Sequence, residues 1–231
     1  MKRHTTKDYD LELDKLRMSV IQLGSKVLDQ LASTQKALMN KDSGLALQVI
    51  RGDTKINEMT REIDEFTVTL MALRQPMAVD LRTIVAAQKI SNEYERIADY
   101  ASNIAQEIIV ISKVSHLPIA ESLYAMAGKT QKMLKDILEA YEKEDVQLAD
   151  QVFHKDDEVD ELYVNVLNKI SEQMTESESD SEPWTHILLM ARSLERIGDH
   201  ITNVAEQIHF LVKGVIPGGK DDKSVEKPKQ N

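Results

Sequence analysis

Two stretches of this chain repeat two others in the same order, and that constrains the fold more than any other feature of the sequence. At an offset of 103, residues 37–59 match residues 140–162 at eight of 23 positions, among them Asp42/Asp145, Leu45/Leu148, Ala46/Ala149, Gln48/Gln151, Val49/Val152 and Asp53/Asp156. At an offset of 100, Glu95-Arg96-Ile97-Ala98-Asp99 aligns with Glu195-Arg196-Ile197-Gly198-Asp199, and the match extends to Asn103/Asn203 and Ala105/Ala205. Six of those eleven positions are identical. Self-similarity at a nearly constant offset marks a repeated architecture, so the 231 residues are expected to form two like units joined near Lys113–Pro118.

The unit is helical. Leu13, Leu16, Val20, Leu23, Val27 and Leu31 recur at spacings of three and four, which lays one apolar stripe along a helix. Alternating strand-like runs bounded by Asn-Gly or Asp-Gly turns do not occur. All five prolines fall between or beyond helically patterned segments, where a missing N–H costs least. The pattern predicts six long helices near 8–40, 43–73, 77–112, 117–143, 146–175 and 184–213. Short connections place consecutive helices antiparallel and adjacent. The expectation is an all-α chain of two tandem three-helix bundles, 8–113 and 117–213. Three of the eight glycines cluster in Gly214–Gly219 ahead of a polar end, so 214–231 is expected to be a disordered tail.

Composition excludes several functions. No apolar run reaches the roughly 18 residues a membrane span needs, and the N-terminus lacks the apolar core of a signal peptide. With no cysteine there is no disulfide, thiolate metal site or cysteine nucleophile. A cytoplasmic location follows as the expectation. The net charge is −10, and the segment 142–182 holds 14 acids against three lysines. With 4% aromatics, the chain has neither the basic footprint nor the stacking platforms of a nucleic-acid binder, so no direct nucleic-acid binding is expected. Neither a nucleophile elbow nor a phosphate-cradling P-loop is present. No enzymatic activity is expected. The ten methionines read mostly as core filler, with an exposed few able to form an adaptable binding surface.

The duplication preserved acidic pairs. Glu95 and Asp99, like Glu195 and Asp199, lie four residues apart and so project from one face of a helix. Like charges at that spacing cost a helix roughly 0.2–0.5 kcal/mol. Asp156 and Asp160 repeat the spacing on the preceding helix of the second unit, and four carboxylates there would suit a hard cation with oxygen ligands. The first unit offers Asp53, Glu95 and Asp99, with neutral Asn57 in the place of Asp160. These seven acids are the candidate metal ligands, with magnesium, manganese, zinc or iron as candidate ions. The bland alternative is that Arg96, Arg192 and Arg196 neutralise them. Glu206-x-x-His209 is a lone motif of its kind and reads as an ordinary core or surface histidine.

The two Glu-Arg-Ile-x-Asp segments resemble the paired signatures of the PhoU family of phosphate-specific transport regulators. Arg74-Gln75-Pro76 with Asp80-Leu81-Arg82 is similar to that family's entry into its third helix, and Asp156-x-x-Val159-Asp160 to its second-helix acidic motif. The resemblance runs from about Leu13 to Lys213 and implies two tandem three-helix bundles, metal clusters at the acidic motifs in some members, and a homodimer. It also implies a cytoplasmic negative regulator of the phosphate-starvation regulon and of phosphate uptake. Such a protein acts as an adaptor between the sensor histidine kinase PhoR and PstB, the ATPase subunit of the phosphate ABC transporter, and meets the membrane only through those partners. The competing reading from the carboxylates alone is a ferritin-like bundle that stores or oxidises metal.

Overall fold

The computed structural model describes residues 3–113, 119–176 and 182–217, so the expected inter-unit joint at 114–118 and most of the expected tail, from residue 218 on, lie outside the described residues. The described residues form six helices: α1 (Arg3–Asn40), α2 (Ser43–Arg74), α3 (Val79–Ile111), α4 (Ala120–Lys143), α5 (Val146–Glu176) and α6 (Glu182–Lys213). No strand occurs among the described residues. None of these helices is long and apolar enough to cross a membrane.

The repeat is visible in the smallest details of the chain. Lys41 and Glu144, equivalent at the offset of 103, both take a left-handed conformation at φ 51° and 53°. The next residue then caps a helix. Asp42 accepts from the Leu45 amide at 2.9 Å. Asp145 accepts from the Gln147 and Leu148 amides at 2.9 and 3.1 Å. Each cap satisfies amides that a helix start leaves without partners, a contribution of about 1 kcal/mol. The identity of Asp42 and Asp145 therefore records a conserved turn. The second connection departs from the expected boundary: α3 begins at Val79 rather than near 77. Gln75 (φ 47°) ends α2 in the left-handed region, Pro76 offers no amide, and Ala78 is held at φ 50°. Arg74, the first residue of the Arg-Gln-Pro segment, makes a two-pronged bond to Glu12 at 2.7 and 2.8 Å, tying the end of α2 to the start of α1.

Helices α1–α3 pack as one bundle and α4–α6 as the other, and the two lie side by side through α3 against α6 and α1 against α4. A single apolar core runs through both, including Leu16, Leu23, Ile90 and Ile97 from the first unit and Met133, Ile137, Ile197 and Ile201 from the second. Gly24 lets α1 approach its neighbours closely, since a Cβ there would stand 2.7 Å from Leu138 and 2.8 Å from the Tyr94 ring. The methionines divide as that reading has it: Met126, Met133 and Met190 are buried and Met59 and Met71 pack against the core, while Met18, Met39 and Met77 are more than half exposed.

Candidate functional site

The acidic motifs sit in different environments in the two units, and in the first the acids of α2 and α3 act on one another, Asp53 on Glu95 and Asp99. In the first, Asp53 on α2 is the hub. Ser102 Oγ on α3 donates to Asp53 Oδ1 at 3.2 Å, and Asn57 Nδ2 donates to Oδ2 at 3.2 Å. Gln30 reaches in from α1, its Nε2 donating to Ser102 Oγ at 3.0 Å and to the Val49 carbonyl at 3.3 Å. Three helices thus meet around one carboxylate. Asn57 is more than an absent acid, since its amide supplies a donor that an aspartate there would lack unless protonated.

Glu95 and Asp99 face the same hub. Burial pushes Glu95 above the usual carboxylate range, with Asp99 and then Asp53 adding repulsion and Arg96 opposing it. Asp99 is raised likewise by burial and then by Asp53. The expected neutralisation by arginine is therefore incomplete. Arg96 does contact both, at 3.6 Å to Glu95 and 3.7 Å to Asp99, but it is 62% exposed. An ion pair so exposed is worth about 0–1 kcal/mol, too little to cancel burial and mutual repulsion.

In the second unit Arg196 repeats the bracket, 3.6 Å from Glu195 and 3.2 Å from Asp199. Asp156, the counterpart of Asp53, is fully buried, whereas Asp160 on the same helix is half-buried. What makes room for Asp156 is Gly198, where a Cβ would stand 2.4 Å from Asp156 Oδ1. The first unit has Ala98 at this position. The single mismatch inside the five-residue match is thus a close approach between α5 and α6. Among the described residues, no group of three or more His, Asp or Glu side chains stands close enough to hold a metal ion.

The sequence did not reveal the partners of the α6 histidines. His200, which points about 100° away from Asp199 around the helix, turns to α3, its Nδ1 lying 2.7 Å from Glu93 Oε2. Asn203 Nδ2 donates to the same oxygen at 3.1 Å. His186 Nδ1 lies 2.5 Å from Glu107, and the buried His209 lies 2.6 Å from Asp150 on α5. His209 is accordingly a satisfied core histidine. Glu206, four residues from nothing acidic in sequence, is raised by burial and by Glu93, with His209 opposing. Periodicity could not signal these histidine–carboxylate pairs, because the carboxylates lie on α3 and α5.

Comparison with known proteins decides the family. The family profile described as "PhoU domain" matches the chain twice, over residues 20–108 and 123–208. The chain belongs to the PhoU family. It is 39% identical over 215 residues to a Caulobacter vibrioides protein named phosphate-specific transport system accessory protein PhoU homolog, covering 93% of this chain and 94% of that one. It is 35% identical to the Escherichia coli K12 accessory protein PhoU, covering 93% of this chain and 89% of its relative. Among solved structures, PhoU from Pseudomonas aeruginosa superposes with a TM-score of 0.86 at 36% identity, covering 90% of this chain and all of that one. The phosphate transport system regulatory protein PhoU from Streptococcus pneumoniae gives 0.84 at 30% identity, covering 90% and 98%. Both PhoU matches fall inside the two bundles.

Proposed function

We propose that this protein is the accessory regulator of a phosphate-specific ABC transporter and a negative regulator of the phosphate-starvation regulon. It would work in the cytoplasm as an adaptor between the transporter ATPase PstB and the sensor histidine kinase PhoR. The observation that carries this reading is the double PhoU-domain match, backed by relatives of nearly equal length named as accessory proteins of that transport system. Long, rigid helical surfaces suit an adaptor, which works through differential contacts with two partners. Capture of PstB and PhoR by the tagged protein, from cells grown with high and low phosphate, tests it. Recovery of neither partner under either condition would refute the adaptor role.

A divalent cation belongs to the same proposal. The donor set is all oxygen, as a hard cation requires. Burial first, and then repulsion from neighbouring carboxylates, raises Glu95 and Asp99, and a bound cation would offset both. Asp53, Glu95 and Asp99 would hold it in the first unit, and Asp156, Asp160, Glu195 and Asp199 in the second, after their side chains turn toward one another. Four carboxylates against three mean tighter binding in the second unit. Calorimetric titration of manganese, magnesium and zinc is expected to show saturable binding that Glu195→Gln/Asp199→Asn weakens more than Glu95→Gln/Asp99→Asn does. Equal losses, or no binding to the parent, would return these acids to a purely structural role.

A further inference from the structure

The seam between α3 and α6 carries its own internal comparison. Exchanging the two units, residue i for i + 100, carries the pair Glu93 and Asn203 onto Ser193 and Asn103. On one side of the seam the carboxylate of Glu93 sits between His200, at 2.7 Å, and Asn203, at 3.1 Å. On the other side the equivalent positions line a solvent-open cleft of about 370 Å³, with Tyr100, Asn103, Arg192, Ser193 and Arg196 in its walls. There Tyr100 stands for His200 and Asn103 for Asn203, so donors remain, but Ser193 has replaced the acid they would bind.

We propose that this cleft binds a small oxyanion, a carboxylate or a phosphate group, in the place that Glu93 fills on the mirrored side. The charge in the cleft fits. Arg192 makes no hydrogen bond or ion pair among the described residues, and its counterpart across the seam is the neutral Asn92. Its planar fork matches the two oxygens of either anion. Arg196 shares its charge with Glu195 and Asp199. Glu107, a carboxylate that lines the cleft, is occupied by His186 at 2.5 Å. The Ser193 hydroxyl donates its proton to the Leu189 carbonyl at 2.8 Å, so its contribution to the cleft is the absence of a carboxylate and not a hydrogen bond.

This assignment does not rest on the regulatory reading, because its test uses the purified full chain. Inorganic phosphate and acetate are titrated separately at constant ionic strength, followed by amide and side-chain NMR shifts. At least one of them is expected to bind the parent saturably, with a Kd of roughly 1 mM or tighter. Arg192→Gln should weaken binding by about tenfold or more by removing the charge. Ser193→Glu should abolish it, because the new carboxylate occupies the site as Glu93 does, and its melting curve reports that the bundle remains folded. Binding of phosphate alone identifies a phosphate ligand, and of acetate alone a carboxylate; either supports the site. Absence of saturable binding of both anions to the parent, or binding that Arg192→Gln and Ser193→Glu leave unchanged, overturns it.

Discussion

Replacing Gly198 with alanine sets two opposed effects against each other at one atom. Removing a glycine from a helix interior stabilises by about 0.5–1 kcal/mol, because the unfolded chain loses freedom. Gly52 on α2 shows that effect by itself, since a Cβ there would meet nothing within 4 Å. At Gly198 the same Cβ would stand 2.4 Å from Asp156 Oδ1 and 3.9 Å from Val159 Cγ1. The carboxylate must move by the better part of an ångström, and Asp156 is fully buried, so it moves against packed neighbours. Overpacking of this kind costs about 1–3 kcal/mol, which outweighs the helix gain. Gly198→Ala is therefore expected to lose about 1–2 kcal/mol, a drop of roughly 2–8 °C in Tm for a chain of this size. Gly52→Ala should rise by roughly 1–4 °C. Thermal melts by circular dichroism, with urea unfolding for ΔG, measure both. In an Asp156→Ala background the penalty should vanish, leaving Gly198→Ala neutral or stabilising, as a coupled pair requires. If Gly198→Ala gains as much as Gly52→Ala in the parent, the close approach of α5 and α6 at this point is not real.

Other outcomes follow from the same reasoning. Tyr94 is fully buried and its hydroxyl has no hydrogen-bond partner among the described residues; Tyr94→Phe should keep or raise stability, by up to about 1 kcal/mol in urea unfolding. Glu95 and Asp99 both have folded-state pKa values above their ordinary ones. Their contribution is thus most favourable below the unfolded carboxylate range and is lost as pH rises through the raised values. Metal-free Glu95→Gln/Asp99→Asn should accordingly melt above the parent at pH 7, with the advantage shrinking as pH falls through the carboxylate range. A constant difference at every pH would contradict the raised pKa values of this cluster, which burial causes first and repulsion second.

The features legible in the sequence were those that depend on one helix at a time. The stripe from Leu13 to Leu31 depends only on a period of 3.6, and Leu16, Val20, Leu23, Val27 and Leu31 are indeed buried. Glu95 and Asp99 share a face for the same reason. The match of Asp42 with Asp145 was legible as a repeat, and its physical content, a left-handed residue followed by a cap, appears only with the backbone. The contacts that remained hidden join distant segments. Gln30 reaches Ser102 across 72 residues, and Arg74 reaches Glu12 across 62. Gly198 shows the difference most clearly. Read along α6 it is a mild helix weakener facing Ala98 in the alignment, and only the approach of α5 shows that it makes space for Asp156.

The central proposal is that this duplicated helical protein restrains the phosphate-starvation response. The most direct measurement is a reporter driven by a phosphate-repressed promoter, read in phosphate-rich medium in a strain lacking this protein and any paralogue. The account predicts high reporter output in that strain and restored repression when the full chain is supplied. Normal repression without the protein would contradict it.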